Sequence, residues 1–290
     1  MTEEQQGRPT ALAVTGLRVE YPGGRRRGPV RVIDDVGFRI ATGETLALVG
    51  ESGSGKSTIG KAILGLVPAA AGRIELGGRD ITAIPVRRRA AFARELQVVF
   101  QDPYGSLNPS LRIGDILSEP LEAGGGMPRA EARRVVRDLL SRVGLPADAA
   151  DRYPGSFSGG QRQRIAIARA VSVDPAVIIC DEPTSALDVS TQVQVLELLR
   201  ELQQNLGVAY LFITHDLALV RGFADRVAVL RGGRIVEEGA AAAVCDAPRD
   251  LYTQALMGAT PVPDPVRQRE RRVARRELLT RLRESEKEAS

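Results

Sequence analysis

Residues 11–21 (ALAVTGLRVEY) and 31–40 (RVIDDVGFRI) alternate apolar and polar positions, the period-two pattern of half-buried strands. A turn-rich loop, YPGGRRRGP, separates them. Residues 44–49 (ETLALV) form a short apolar run that enters a glycine-rich loop, and helical periodicity follows from Lys56 to about Leu66. RIELGGRDI (73–81) reads as a hairpin or strand pair, and LQVVF (96–100) as a further strand. Over 112–150 the pattern turns helical, interrupted by AGGGMP and clearest at 130–145. A helix over 159–171, a strand AVIIC (176–180), a helix over 190–206 and a strand VAYLFIT (208–214) come next. A short helix and a strand pair (227–239) complete the pattern. Strands alternating with helices predict a mostly parallel sheet covered on both faces. The helical stretch 112–157 then reads as an insertion into that sheet.

Residues 246–265 predict a short helix running into a proline-rich linker, and 266–288 a charged helix with only loose apolar periodicity. No internal repeat is visible. With 290 residues and 43% hydrophobic content, the chain suits one large α/β domain with appendages, or two smaller domains. Its longest apolar runs fall far short of the roughly 18 residues that a membrane-spanning helix needs. The acidic, polar N-terminus MTEEQQGRPT shows no apolar signal region, so the expected location is cytosolic unless a partner holds the chain at a membrane. Cys180 and Cys245 are too few for a disulfide framework or a four-ligand zinc site.

Charge narrows the picture further. Residues 266–290 hold nine Arg/Lys against five Glu, a surplus equal to the +4 of the whole chain, so the rest is close to neutral. A nucleic-acid binder usually carries its basic surface across the fold. Only three of the 40 basic residues are lysines (Lys56, Lys61 and Lys287), and His215 is the only histidine. In so arginine-biased a chain, a lysine or histidine invites a chemical explanation.

Residues 50–57, GESGSGKS, match G-x-x-x-x-G-K-[ST] between a predicted strand and a predicted helix. Gly50, Gly53 and Gly55 allow the backbone to curl around Ser52 and Ser54 so that successive amides converge on phosphate oxygens. The following helix, opening at Lys56, Ser57 and Thr58, adds its positive end. Lys56 brings a compact charge to the terminal phosphates, and the Ser57 hydroxyl suits Mg²⁺. A plain glycine-rich turn is the bland alternative, and the strand–loop–helix context argues against it.

The run VIICDE (177–182) is a buried-type strand ending in two carboxylates. Asp181 is placed to hold a magnesium hydration shell and Glu182 to act as general base toward water. His215 follows strand 208–214, at the strand end where α/β sheets place ligands, and could orient the attacking water. Gln101 follows strand 96–100 and could give Mg²⁺ an amide oxygen, although Gln before Asp-Pro is also an ordinary turn starter. Ser158-Gly159-Gly160-Gln161 precedes a helix and forms a second anion-binding device. Two such devices in one chain point to a nucleotide shared with another copy.

Together these segments resemble the ATP-binding-cassette (ABC) ATPases over roughly residues 11–265. Residues 50–57 correspond to the family's Walker A, VIICDEP to Walker B and FSGGQ to its signature. SALD, ending in Asp188, corresponds to the D-loop, Gln101 to the Q-loop and His215 to the switch histidine. Tyr21 stands where the family places an aromatic that stacks on adenine. QDPYGSLNPS, RYPGSFSGGQRQRIAIARA and YTQALMGATPVPDP are similar to the oligopeptide/dipeptide importer branch. The chain departs from that branch in two places. It carries Gly155-Ser156 where a His-Glu pair is common, and an arginine-rich tail where many members have a cysteine-containing segment.

The resemblance implies a P-loop NTPase of ABC type: a mostly parallel sheet, an antiparallel N-terminal portion and an inserted helical subdomain. It places the ATPase core at 1–111 and 158–245, the helical subdomain at 112–157, a linker at 246–265 and the arginine-rich tail at 266–290. It implies ATP and Mg²⁺, a second nucleotide domain (a copy or a paralogue), two transmembrane permease subunits and a solute-binding protein. The implied place is peripheral, on the cytoplasmic face of the cell membrane, with no direct nucleic-acid partner. The rival readings are a soluble ABC protein acting on nucleic acid or the ribosome, and the ATPase of an exporter.

Overall fold

The computed structural model describes residues 7–23, 28–102, 104–258, 278 and 280. It contains β1 (Thr10–Tyr21), β2 (Val30–Ala41), β3 (Thr45–Val49), α1 (Lys56–Ile63), β4 (Ala71–Leu76), β5 (Arg79–Asp80), α2 (Val86–Arg89) and β6 (Leu96–Val99). α3 (Ile113–Gly125), α4 (Arg129–Arg142), α5 (Gly159–Val171), β7 (Val177–Asp181), α6 (Val189–Leu206) and β8 (Ala209–Thr214) follow. α7 (Leu217–Phe223), β9 (Arg226–Arg231), β10 (Arg234–Ala240), α8 (Ala241–Asp246) and α9 (Leu251–Met257) complete the order.

Two sheets form. The smaller is antiparallel, in the order β2-β1-β4-β5, and the larger runs β10-β9-β3-β8-β7-β6. In the larger sheet β9, β3, β8, β7 and β6 are parallel, and only β10 joins its neighbour antiparallel. Alternation along single strands explains how both faces come to be covered. In β7, Val177 and Ile179 join the core shared with β1, β2 and α1, whereas Ile178 and Cys180 join the one shared with α3, α4, α5 and α6. In β3, Ala47 and Val49 point instead to a third core under α7, α8 and α9. A strand buried on both faces must be apolar at every position, which is why these strands show continuous runs, while β2 alternates and β1 does so only beyond Val14.

The parallel register places the strand ends in a row. Val49 pairs with Thr214, Asp181 with Ile213 and Val99 with Cys180. The residues following β3, β6, β7 and β8 therefore emerge together at the carboxyl edge, where open α/β sheets bind ligands. Helices α3 and α4 sit between β6 and β7 in sequence, and both contribute to the core that includes α5. Among the described residues no helix is long and apolar enough to cross a membrane. The proline-rich part of the predicted linker and most of the predicted tail helix lie outside the described residues. Of the tail, Leu278 and Thr280 are helical, and Leu278 packs against the third core.

Candidate functional site

The glycine-rich loop between β3 and α1 curls because of its glycines. A Cβ on Gly50 would stand 2.3 Å from the Leu230 carbonyl oxygen and 2.8 Å from Ser54 Oγ, so only glycine fits. Gly53 and Gly55 take φ values of 82° and 108°, open to glycine and costly to other residues. Lys56 is buried, and its Nζ donates to the Gly50 carbonyl at 2.8 Å and the Glu51 carbonyl at 2.9 Å. An ammonium has three donors, so one remains for a ligand oxygen. Burial pulls the Lys56 ammonium down from its ordinary value, opposed by the charges of Glu182, Asp181 and Glu51. Ser54 Oγ is buried without a partner, and no side chain caps α1, so its first-turn amides still need an acceptor. Loop amides, a buried hydroxyl and a lysine donor around a helix N-terminus together fit a phosphate chain.

Three strand ends, with the start of α1, supply the rest. Ser57 donates its hydroxyl to Asp181 Oδ1 at 2.9 Å, bringing two oxygen ligands for a hard cation together. Burial raises the Asp181 carboxyl, opposed first by that hydrogen bond. Glu182, the next residue, is held through both carboxylate oxygens. Gln101 Nε2 donates to Oε2 at 3.1 Å, and His215 Nδ1 lies 3.3 Å from Oε1. Glu182 also has φ 47°, a left-handed conformation that is strained for a non-glycine residue. Its amide bonds the Ile213 carbonyl at 2.9 Å, which continues the sheet and holds the residue in that conformation. Because the Gln101 amide nitrogen donates to Glu182, its oxygen is the end that could accept from or ligate a bound group.

Ser158, Gly159, Gly160 and Gln161 open α5. Ser158 Oγ accepts from the Gln161 amide and Gln161 Oε1 accepts from the Ser158 amide, a reciprocal capping box. That box does not use the amides of Gly159 and Gly160, which stay at the positive end of the helix. Asp188 caps α6: its carboxylate accepts from Ser190 Oγ, the Thr191 amide and Thr191 Oγ1, and is held below the usual carboxylate range. The two segments touch. A Cβ on Gly160 would lie 2.3 Å from Thr191 Cγ2, and Thr191 cannot turn away without giving up its bond to Asp188. Gly160→Ala is therefore expected to cost about 1–3 kcal/mol in urea unfolding, and Thr191→Ser, which removes the obstructing methyl, to restore most of it.

The structure thus brings Gln101, Asp181, Glu182 and His215 together with Lys56 and Ser57. Thr58 lies within α1. Tyr21 ends β1 in the other sheet, half-buried against the core shared by the two sheets. The ABC transporter family profile matches residues 33–185, more than half of the chain. The chain belongs to the ABC transporter family. Its ABC fold and ATPase activity follow from that membership. A peptide import ATP-binding protein of Brucella ovis is 46% identical over 267 residues, covering 92% of this chain and 84% of that protein. A peptide ABC transporter ATP-binding protein of Sinorhizobium fredii is 48% identical over 240 residues, covering 83% and 68%. A dimeric ATP-binding cassette in a post-hydrolysis state with ADP and Pi matches with TM-score 0.71 and 29% identity, over 79% of this chain and 98% of that one. The cbiO1 subunit from Clostridium perfringens, part of an ABC transporter complex, matches with TM-score 0.73 and 27% identity, over 86% and 95%.

Some contacts of this ABC ATPase join segments that lie far apart in the sequence. Arg162 stacks over the Tyr104 ring at 4.0 Å, and Arg169 Nη1 donates to the Ser106 carbonyl at 2.6 Å, so α5 grips the loop that follows Gln101. Tyr252 Oη accepts the Glu51 amide of the phosphate loop at 3.0 Å. These partners are up to 201 residues apart, and no local pattern announces them.

Proposed function

We propose that this chain is the ATP-hydrolysing subunit of a peptide importer. The observation that carries the catalytic part is the grip on Glu182. A carboxylate held on one oxygen by Gln101 and on the other by His215, beside the phosphate loop, is positioned to take a proton from water. Lys56 and the amides of residues 50–57 would bind the phosphate chain, and Tyr21 would stack on adenine. His215 would orient the attacking water, and Glu182 would accept its proton. Ser57, Asp181 and the amide oxygen of Gln101 would hold Mg²⁺, which when bound neutralises phosphate charge. One carboxylate, one hydroxyl and one amide suit a cation that keeps several waters and binds substrate phosphates.

The signature at Ser158–Gln161 would serve the nucleotide of a second cassette, either another copy or a paralogue, and Asp188 would line the same interface. Closure then follows from ATP's higher affinity for the joined state, and loss of the shared phosphate releases it. The permeases would dock on a cavity of about 360 Å³ walled by Leu64, Leu66, Phe92, Leu96, Val98 and Phe100. Leu66 and Phe100 are large apolar side chains exposed on that wall, beside Gln101. Bound there, the chain would sit peripherally on the cytoplasmic face of the membrane, with a solute-binding protein on the other side. The similarity to named peptide importers over most of the chain's length supports the choice of solute.

Uptake of a labelled oligopeptide by vesicles holding this chain and its permeases tests the reading. ATP-dependent accumulation is expected, and ATP hydrolysis with efflux of the peptide would contradict it.

A further inference from the structure

Outside the motifs, the phosphate loop is tied to the C-terminal segment, and the tie converges on a single peptide unit. The plane joining Gly50 to Glu51 carries the Gly50 carbonyl at one end and the Glu51 N–H at the other. Lys56 Nζ binds that carbonyl at 2.8 Å, and Tyr252 Oη accepts that N–H at 3.0 Å. Since a peptide unit is rigid and planar, two partners at opposite ends fix its rotation. The Glu51 carbonyl, one residue on, also accepts from Lys56 Nζ at 2.9 Å and from the Ser54 amide at 3.2 Å. The orientation of this plane therefore sets where the Lys56 head group sits.

The hydroxyl that completes the clamp is itself firmly placed. Tyr252 is 5% exposed, and the Arg231 guanidinium lies 5.2 Å from its ring centroid. Asp250 caps α9, its Oδ1 accepting the amides of Tyr252 at 2.8 Å and Thr253 at 3.2 Å. The turn before the cap is pinned to β10, where the Glu237 carboxylate accepts the amides of Arg249 at 2.8 Å and Asp250 at 3.1 Å. A continuous path of hydrogen bonds thus runs from β10 through α9 to the second residue of the phosphate loop. Other hydrogen-bonding groups would also cap a loop amide, but a buried ring beside Arg231, on a backbone held by Asp250, does so with little freedom left to lose.

We infer that Tyr252 is a positioning residue for nucleotide binding: it holds the Gly50–Glu51 peptide so that Lys56 and the loop amides face the phosphates. The inference rests on the reading of residues 50–57 as the phosphate site. Without the hydroxyl, the Glu51 amide loses the Tyr252 acceptor, and one end of the rigid peptide plane is no longer held against rotation. Lys56 then loses one of the two carbonyls that fix it.

The test is Tyr252→Phe, which keeps the ring and its packing, compared with wild type and Lys56→Ala in MgATP and MgADP titrations and steady-state ATPase assays. Expected are a KM for ATP and a Kd for MgADP each raised about five- to tenfold. The expected kcat stays within about twofold, since Tyr252 touches none of Glu182, His215 and Gln101 in this structure. Faster hydrogen exchange at the Glu51 amide in the nucleotide-free variant is the readout that general loosening of the fold does not single out. Wild-type affinity and exchange in Tyr252→Phe, while Lys56→Ala loses binding, would overturn the role of Tyr252 alone. Unchanged binding in Lys56→Ala would instead overturn the phosphate-site reading beneath it.

Discussion

Glu182→Gln is expected to lower ATP turnover by about 10²- to 10⁴-fold, the range a positioned general base contributes. ATP binding should be kept. The carboxylate and the carboxamide have the same shape, so the strand end and the left-handed backbone at this position are undisturbed. What changes is basicity: an amide cannot take a proton from water. One of its two termini also becomes a donor facing either Gln101 Nε2 or His215 Nδ1, so the two-sided grip is broken on one side. Single-turnover hydrolysis alongside equilibrium MgATP binding separates the two effects. Retention of near wild-type turnover would remove Glu182 from the role of base.

Lys56→Ala should do the reverse and strike binding first. The lysine head group is buried, closes the loop through two carbonyls and turns its remaining donor to the ligand. Hydrogen bonds to a charged group contribute roughly 1.5–3 kcal/mol each. Losing that one charged hydrogen bond from a phosphate site therefore weakens MgATP binding by roughly 10- to 150-fold. Further loss comes from the loop itself, since the carbonyls of Gly50 and Glu51 no longer share the Lys56 head group that ties them together. Nucleotide titration by calorimetry measures the effect directly, and an affinity within a fewfold of wild type would contradict it.

Most of this architecture can be read from the chain because its signals are local. Strand alternation in β1 and β2, the continuous apolar runs of β3, β7 and β8, and the glycine loop each depend on a few adjacent residues. The four-residue α2 and the alanine-rich α8 are not legible, being too short or too uniform to show helical periodicity. In the site, residue types at the strand ends identify the participants, and parallel register brings them together. The left-handed backbone of Glu182 and the grip on both its oxygens arise only when β6, β7 and β8 align. Asp188, singled out by resemblance alone, also serves as the cap of α6, and its contact with Gly160 through Thr191 joins two motifs that the sequence keeps apart. Tyr252 is the extreme case. Nothing near YTQAL announces a bond to a loop 201 residues earlier.

The central claim is that one chain contributes Lys56 to its own nucleotide and Ser158 to another's. Calorimetric titration of MgATP into Lys56→Ala and Ser158→Arg, under conditions where each is a monomer, addresses it most directly. Binding should be lost in the first and kept at wild-type affinity in the second, although both fail to hydrolyse ATP with their partner cassette. Loss of monomer binding in Ser158→Arg, with the fold intact, would place both devices on the same nucleotide and contradict the shared-site mechanism.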